Sequence, residues 1–300
     1  MPTRRFVLFG TNGFIGRNLS AYLSKLSLSN IRLSRSGVDA IAADLRYPDQ
    51  YIDILKDGDI AIMLASATNT VTRHNCIGTE KTANVSPYAT FLRAIENLTL
   101  TRLIYISSGG TVYGPNSESR SISESSALHP STPYGWGKAR IEQLMVDFSQ
   151  RSNTPVTILR PSNAVGYGQL ASGVGFVAAA VNAAETGILL KIAGGGSIVR
   201  DYFDVEDLCR AIVLTSLRHP PTGAAINIGS GVGRTQLEVV NTVELRVGRK
   251  IRTQFLPRRA DEIMNNVLCV SRAKEILGWT PSITFEESVK RLAAYGTNLK

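Results

Sequence analysis

Short apolar runs alternate with helically spaced apolar patterns along the first half of the chain. Phe6–Gly10 is an unbroken apolar run ending in glycine, and it predicts a strand covered on both faces. From Phe14 to Leu26 the apolar side chains Phe14, Ile15, Leu19, Tyr22, Leu23 and Leu26 recur at helical spacing. Ile31–Leu33 predicts a second strand and Asp59–Ala67, nearly all apolar, a third. Ala83–Asn97 reads as a helix, Arg102–Ser107 as a strand, Tyr134–Gln150 as a helix and Val156–Arg160 as a strand. Strands interleaved with helices predict an α/β fold, a Rossmann-type doubly wound parallel sheet.

After residue 165 this alternation fades. Glycine-rich stretches at 166–175, 194–197 and 229–233 separate short elements, and helical spacing returns at Ser271–Leu277 and Phe285–Tyr295. The pattern predicts a sheet domain over residues 1–165 and a smaller C-terminal α/β lobe over 166–300, with the chain crossing between them more than once.

Composition narrows the function classes. With 43% hydrophobic and 19% charged residues, enough apolar side chain is available to exclude disorder as the main state. The apolar runs fall short of the roughly 18 residues that a membrane span needs. A net charge of +9 raises the question of nucleic acid. The basic residues are scattered, though, apart from Arg246–Arg259, and no aromatic-interleaved basic motif accompanies that stretch, so no nucleic-acid partner is expected. A basic balance serves equally to attract a phosphorylated small molecule. Cys76, Cys209 and Cys269 are odd in number with no CxxC pair, which points away from disulfides and zinc and toward the cytoplasm. His74, His129 and His219 have no ligand spacing, and no metal is expected.

Gly10, Gly13 and Gly16 form GxxGxxG between the first strand and the first helix. Gly10 permits the tight turn, Gly13 lets backbone approach a pyrophosphate, and Gly16 lets helix pack on strand. The helix start, with Asn12, Phe14 and Ile15 around it, offers free N–H groups and a positive dipole end to phosphates. This context predicts a dinucleotide site. At roughly 20 residues beyond such a loop a carboxylate usually takes the adenosine ribose. Ser34 and Arg35 stand there instead. Arginine offers a planar fork of donors to a 2′-phosphate, whereas simple stacking on adenine leaves NAD acceptable, so NAD and NADP both remain open. Asp44 and Leu45 follow where a loop can cap the adenine.

Tyr134 and Lys138 lie at i and i+4, on one face of a helix that Pro133 opens and Ser131 or Thr132 can cap. A phenol of pKa about 10 is a poor base at neutral pH, and an adjacent ammonium stabilises its phenolate. The pair can therefore take a proton from a sugar hydroxyl.

With the segments Ser107–Gly114, Arg160–Asn163, Arg200–Tyr202, Asn227–Gly231 and Ser271–Trp279, these motifs resemble the extended short-chain dehydrogenase/reductase family. Within it the chain is most similar to the NAD-dependent epimerase/dehydratase, UDP-glucose 4-epimerase-like branch. The resemblance implies a nucleotide-sugar 4-epimerase with a retained nicotinamide cofactor, NAD or NADP, acting on a nucleotide-diphosphate sugar as a homodimer. An NADPH-dependent nucleotide 4-keto-sugar reductase is the alternative. Tyr134 would be the acid/base and Lys138 its partner. Leu64, Ala65 and Ser66 would line the cofactor and Asn84 would support it. Asn163 would touch the sugar or its diphosphate, and Arg200 and Arg259 would grip the phosphates.

Two positions depart from the branch. Where its epimerases carry an assisting hydroxyl this chain has Gly109, leaving Ser108 or Thr111 to supply it. Thr111 is favoured, because it would fall on the same side of an extended strand end. The Asp-Glu pair of the dehydratases is replaced by Gly110 and Thr111, which disfavours dehydration.

Overall fold

The computed structural model describes residues 4–70, 72, 75–115, 121–258 and 262–297. Strand β1 (Phe6–Phe9) turns Phe6 and Leu8 to one face and Val7 and Phe9 to the other, all buried, which is why its sequence is continuously apolar. Helix α1 (Phe14–Lys25) follows, then β2 (Asn30–Ser34), the short β3 (Ile41–Ala42) and β4 (Ile60–Met63). β4 is shorter than the apolar run 59–67 suggests, and the remainder of that run lines a cleft.

The helix expected at 83–97 begins earlier. Helix α2 (Ile77–Glu80) runs through a π-helical turn, Lys81–Val85, into α3 (Ser86–Ala94). Strand β5 (Arg102–Ile106) precedes α4 (Pro133–Arg151), whose N-cap Thr132 accepts a hydrogen bond from Gly135 N. Next come β6 (Val156–Pro161), β7 (Asn163–Val165), α5 (Gln169–Ser172), α6 (Phe176–Thr186) and β8 (Leu190–Ala193). The chain continues through β9 (Val199–Asp204), α7 (Val205–Arg218), β10 (Ala224–Ile228), β11 (Gly233–Thr235) and α8 (Gln236–Val247). It ends with β12 (Thr253–Leu256), β13 (Asn265–Asn266), α9 (Ser271–Leu277) and α10 (Phe285–Thr297).

Seven parallel strands form the main sheet in the order β10-β6-β5-β4-β1-β2-β3. Strand order reverses between β1 and β4, and ligands of such sheets bind at that switch point, beyond the strands' carboxyl ends. One face is covered by α3 and α4, with Phe91 and Phe148 in the core, and the other by α1, α7 and α9. Residues 224–228 and 271–279 lie beyond the boundary expected at 165, yet they complete this sheet and its core. β10 pairs with β6, and fully buried Trp279 donates from Nε1 to Asp207 O at 2.9 Å. A second core joins α6, α8 and α10 to β8 and β9. There β9 pairs with β7, β11 and β13, carrying substrate-lobe candidates beside the main sheet.

Because Trp279 fills the core under the sheet, Trp279→Ala should cost about 3–5 kcal/mol. Urea denaturation measures this, and a loss under about 1 kcal/mol would show that the C-terminal segment only rests on the surface.

Candidate active site

A cleft of about 350 Å³ opens at the switch point. Gly10, Asn12 and Gly13 line it from the glycine turn, Ser34 and Arg35 from the end of β2, Asp44 and Leu45 from the next loop. Leu64, Ala65 and Ser66 line it after β4, and Asn84 from the π-helical turn. Gly10 has φ +92°, and a β-carbon there would stand 2.6 Å from Ala65 N. A β-carbon on Gly16 would meet Gly10 O at 2.6 Å, so that glycine serves close helix–strand packing and does not line the cleft. Ile15 packs into the core, and Phe14 begins α1 without lining the cleft. No side chain caps α1 and no acid stands in its first turn. Its first N–H groups and dipole therefore face an anion-sized demand that the chain itself does not meet.

Beside these glycines, where Gly10 N donates to Leu33 O at 2.9 Å, the end of β2 carries no carboxylate. Ser34 Oγ accepts from Gly37 N at 3.2 Å, and Asn12 Nδ2 donates to Ser36 Oγ at 2.7 Å. Asp44 is gripped by Arg46 (2.6 Å), whose hydrogen bonds hold its carboxyl below the usual range. Arg35 is exposed on the same wall.

Tyr134 and Lys138 sit beyond the opposite end, past Tyr88. Tyr88 lines the cleft, donates to Ala65 O at 2.8 Å, and stacks edge-on against Tyr105 with ring centroids 5.4 Å apart. Lys138 is buried, donates from Nζ to Ile106 O at 3.0 Å, and lies 5.1 Å from the Tyr105 ring centroid and 5.7 Å from that of Tyr134. Burial pulls Lys138 down to about 8, against the opposing pull of Glu80 and Glu142. Burial, and then Glu80, push the half-buried Tyr134 above its ordinary value.

Thr111 does not lie on an extended strand end, as the sequence predicts, but in a turn. β5 stops at Ile106, and Thr111 N and Val112 N both donate to Ser108 O, closing a turn. Thr111 is nevertheless placed against α4 by another route. Its carbonyl oxygen lies where a β-carbon on Gly135 would meet it at 2.6 Å, and its Oγ1 is buried with no hydrogen-bond partner among the described residues. Ser108 is half-buried. Glycine at 109 also has a physical reason: a β-carbon there would meet Leu268 Cδ1 at 2.6 Å.

In the smaller lobe, Asn163 Nδ2 donates to Asp201 O (3.0 Å), and half-buried Arg200 pairs with Glu262 (3.4 Å). Arg259 and His74 lie outside the described residues, while His129 and His219 are exposed. Sequence reading missed Tyr88, Arg46 and Glu80. Only Glu80 left a trace, four residues before Asn84 on one helical face.

Among the described residues no group of three or more His, Cys, Asp or Glu is placed to hold a metal, and no helix is long and apolar enough to cross a membrane. The profile of the NAD dependent epimerase/dehydratase family matches residues 6–229. A UDP-glucose 4-epimerase of Mycolicibacterium smegmatis is 28% identical over 222 residues, covering 73% of this chain and 70% of its own length. A dTDP-4-dehydro-6-deoxyglucose reductase of Escherichia coli is 29% identical over 210 residues, covering 70% of this chain and 66% of its own. The crystal structure of a UDP-glucose 4-epimerase from Thermotoga maritima, 23% identical, superposes with a TM-score of 0.87 over 98% of this chain and 99% of that one.

Lys138 makes stability depend on pH. Its folded value of about 8 lies below the unfolded value of about 10.4, so above pH 8 the unfolded chain binds more protons and stability rises with pH. Below pH 8 both states are protonated and the penalty is constant. Relative to Lys138→Met, the ligand-free protein should therefore gain about 2 kcal/mol between pH 8 and pH 10. A flat difference in urea denaturation across that range would refute the buried ammonium.

Proposed function

The chain belongs to the NAD dependent epimerase/dehydratase family, and from that premise we propose that it is a nucleotide-sugar 4-epimerase whose nicotinamide cofactor stays bound through turnover. One observation carries the reading: Tyr134 and the buried Lys138 stand together just past Tyr88, at the end of a cleft whose other wall is a glycine turn and an uncapped helix start. The cleft fits a dinucleotide in shape and chemistry. Bare backbone at Gly13, where a β-carbon would meet only Gly10 O at 3.5 Å, suits a pyrophosphate, and Ser34, Arg35 and Leu45 suit an adenosine. When bound, the nicotinamide supplies reversible acceptance of hydride from the sugar carbon.

The chain's own residues manage the proton. Tyr134 takes it from the sugar 4-hydroxyl and returns it after the 4-keto sugar has presented its other face. Lys138, fixed by Ile106 O, supplies the positive charge that lets the phenol lose its proton. Thr111 supplies the assisting hydroxyl in this reading: its Oγ1 is buried and unpartnered among the described residues, and its backbone carbonyl packs on the first turn of α4. Arg200 holds the sugar diphosphate from the lobe formed by residues 166–300, less the segments returned to the main sheet, Asn163 touches the sugar or its diphosphate from β7 beside it, and Arg259 completes that grip. A homodimer in the cytoplasm is part of the same proposal, by analogy with the branch.

A second reading, an NADPH-dependent nucleotide 4-keto-sugar reductase, is favoured by one feature. β2 ends in Ser34 and an exposed Arg35 where an NAD site would carry a carboxylate, and the similar Escherichia coli protein is a reductase. Stoichiometry separates the two. The purified protein, with no cofactor added, should interconvert UDP-glucose and UDP-galactose or another 4-epimeric pair. Consumption of NADPH mole for mole with a 4-keto sugar would replace the epimerase by the reductase. In either case Tyr134→Phe should lower kcat by about 10²–10⁴-fold with cofactor affinity nearly intact.

The assisting hydroxyl is tested by two substitutions. Thr111→Val should lower kcat by roughly a hundredfold, and Ser108→Ala should stay near wild type. The reverse pattern in steady-state kinetics would move the role to Ser108.

A further inference from the structure

Two carboxylates stand within electrostatic reach of the Lys138 ammonium. Glu142 is already committed: Arg160 grips it through Nε and Nη2, and Ser107 Oγ donates to it. Glu80 is different. It is 1% exposed, and among the described residues its hydrogen bonds come from neutral donors: Thr68 Oγ1 at 2.5 Å, Asn75 Nδ2 and Asn84 Nδ2 both at 2.7 Å. Its Oε2 presses on Gly137, between Tyr134 and Lys138 on α4, so closely that a β-carbon there would collide with it. A carboxylate buried among neutral donors is costly unless a cation offsets it, and a buried ammonium has the same need.

Resting on the Tyr134–Lys138 assignment, we propose that Glu80 is a positioning residue for that pair: its carboxylate is the counter-charge of the Lys138 ammonium, and its hydrogen bonds tie the cleft segment Ala67–Thr68 to the catalytic helix.

The tie is continuous. Ala67 N donates to Asn84 Oδ1 at 2.8 Å, Asn84 Nδ2 reaches Thr68 Oγ1 at 2.8 Å as well as Glu80, and Glu80 rests on α4. The π-helical turn Lys81–Val85 begins directly after Glu80 and contains Asn84, and both side chains are buried and hydrogen-bonded to each other. Such turns are frequent at functional sites. Glycine at 137 is the complementary feature, since any side chain would displace the carboxylate. The other titratable groups facing Lys138 and Tyr134 do not compete for the role. Tyr88 from α3 and Tyr105 from β5 are pushed well up by burial and stay neutral, and Glu142 belongs to Arg160.

The test reads Lys138 without any turnover. In the ligand-free protein, the stability difference between wild type and Lys138→Met begins to rise with pH where the ammonium deprotonates. In a Glu80→Gln background, which keeps size and removes charge, that rise should begin about one pH unit lower, because the lost anion no longer favours the ammonium. A residue that only braced the loop would lower stability equally at every pH and leave the onset in place, and an unmoved onset overturns the proposal. If Glu80→Gln fails to fold, Gly137→Ala supplies the second reading. It pushes the carboxylate away with its charge intact, and the onset should move in the same direction by a smaller amount; no movement there is equally fatal. Kinetics then separate this proposal from the reading beneath it. The alkaline edge of the kcat profile of the holoenzyme should fall with the onset. An onset that moves while that edge stays fixed upholds Glu80 as counter-charge and removes Lys138 from turnover.

Discussion

The bond from Lys138 Nζ to Ile106 O, 3.0 Å long, joins α4 to the end of the central strand β5. It takes an ammonium out of water and leaves it between two tyrosine rings, where only a few oriented groups can stabilise it. The surrounding arrangement answers that one demand. The ammonium needs a carbonyl, a π-face and an anion; β5 supplies the first two through Ile106 O and Tyr105, and in our proposal Glu80 supplies the third from the end of α2. A lysine held this way cannot swing to solvent, so its charge is directed at the Tyr134 phenol. Surface lysines interact weakly because water screens them, whereas this one acts in a much less polar medium.

Rigidity of the catalytic helix has a second source. Arg160 on β6 is shared between Glu142 of α4 and the Tyr113 hydroxyl, which donates to Asn227 Oδ1 on β10 at 2.7 Å. Asn227 Nδ2 in turn donates to Ile122 O, and Asn227 N to Glu124 Oε1. A buried network of this kind adds little net stability compared with apolar packing, but it is severely penalised when one member is missing. It fixes the turn 108–112, and with it Thr111, relative to α4. Leu268, packed against Val112, Tyr113 and Ile122, closes the same turn from the C-terminal side and occupies the space that a side chain at 109 would need. Under the proposed function, the hydroxyl assisting Tyr134 therefore comes from elsewhere on the turn.

Much of this was legible in the sequence. GxxGxxG between an apolar strand and an amphipathic helix, a tyrosine four residues before a lysine, and the alternation of elements up to residue 165 are short-range patterns. Each is set by steric and periodic rules that operate within a dozen residues, so the sheet type, the dinucleotide-shaped turn and the tyrosine–lysine face follow from local chemistry. What only the tertiary structure decided involves partners far apart in the chain. β10 and Trp279 join a sheet whose other strands end more than 60 residues earlier, because pairing and burial depend on surfaces that no local pattern encodes. The turn at Ser108–Val112 replaced an extended end once Leu268 and Gly135 packed around it. Glu80 reads in the sequence as an ordinary polar position near a helix start. Only the arrival of Gly137 and Lys138 from another helix makes it a buried charge with a cation to answer, because the cost of burying a carboxylate is set by what is placed opposite it.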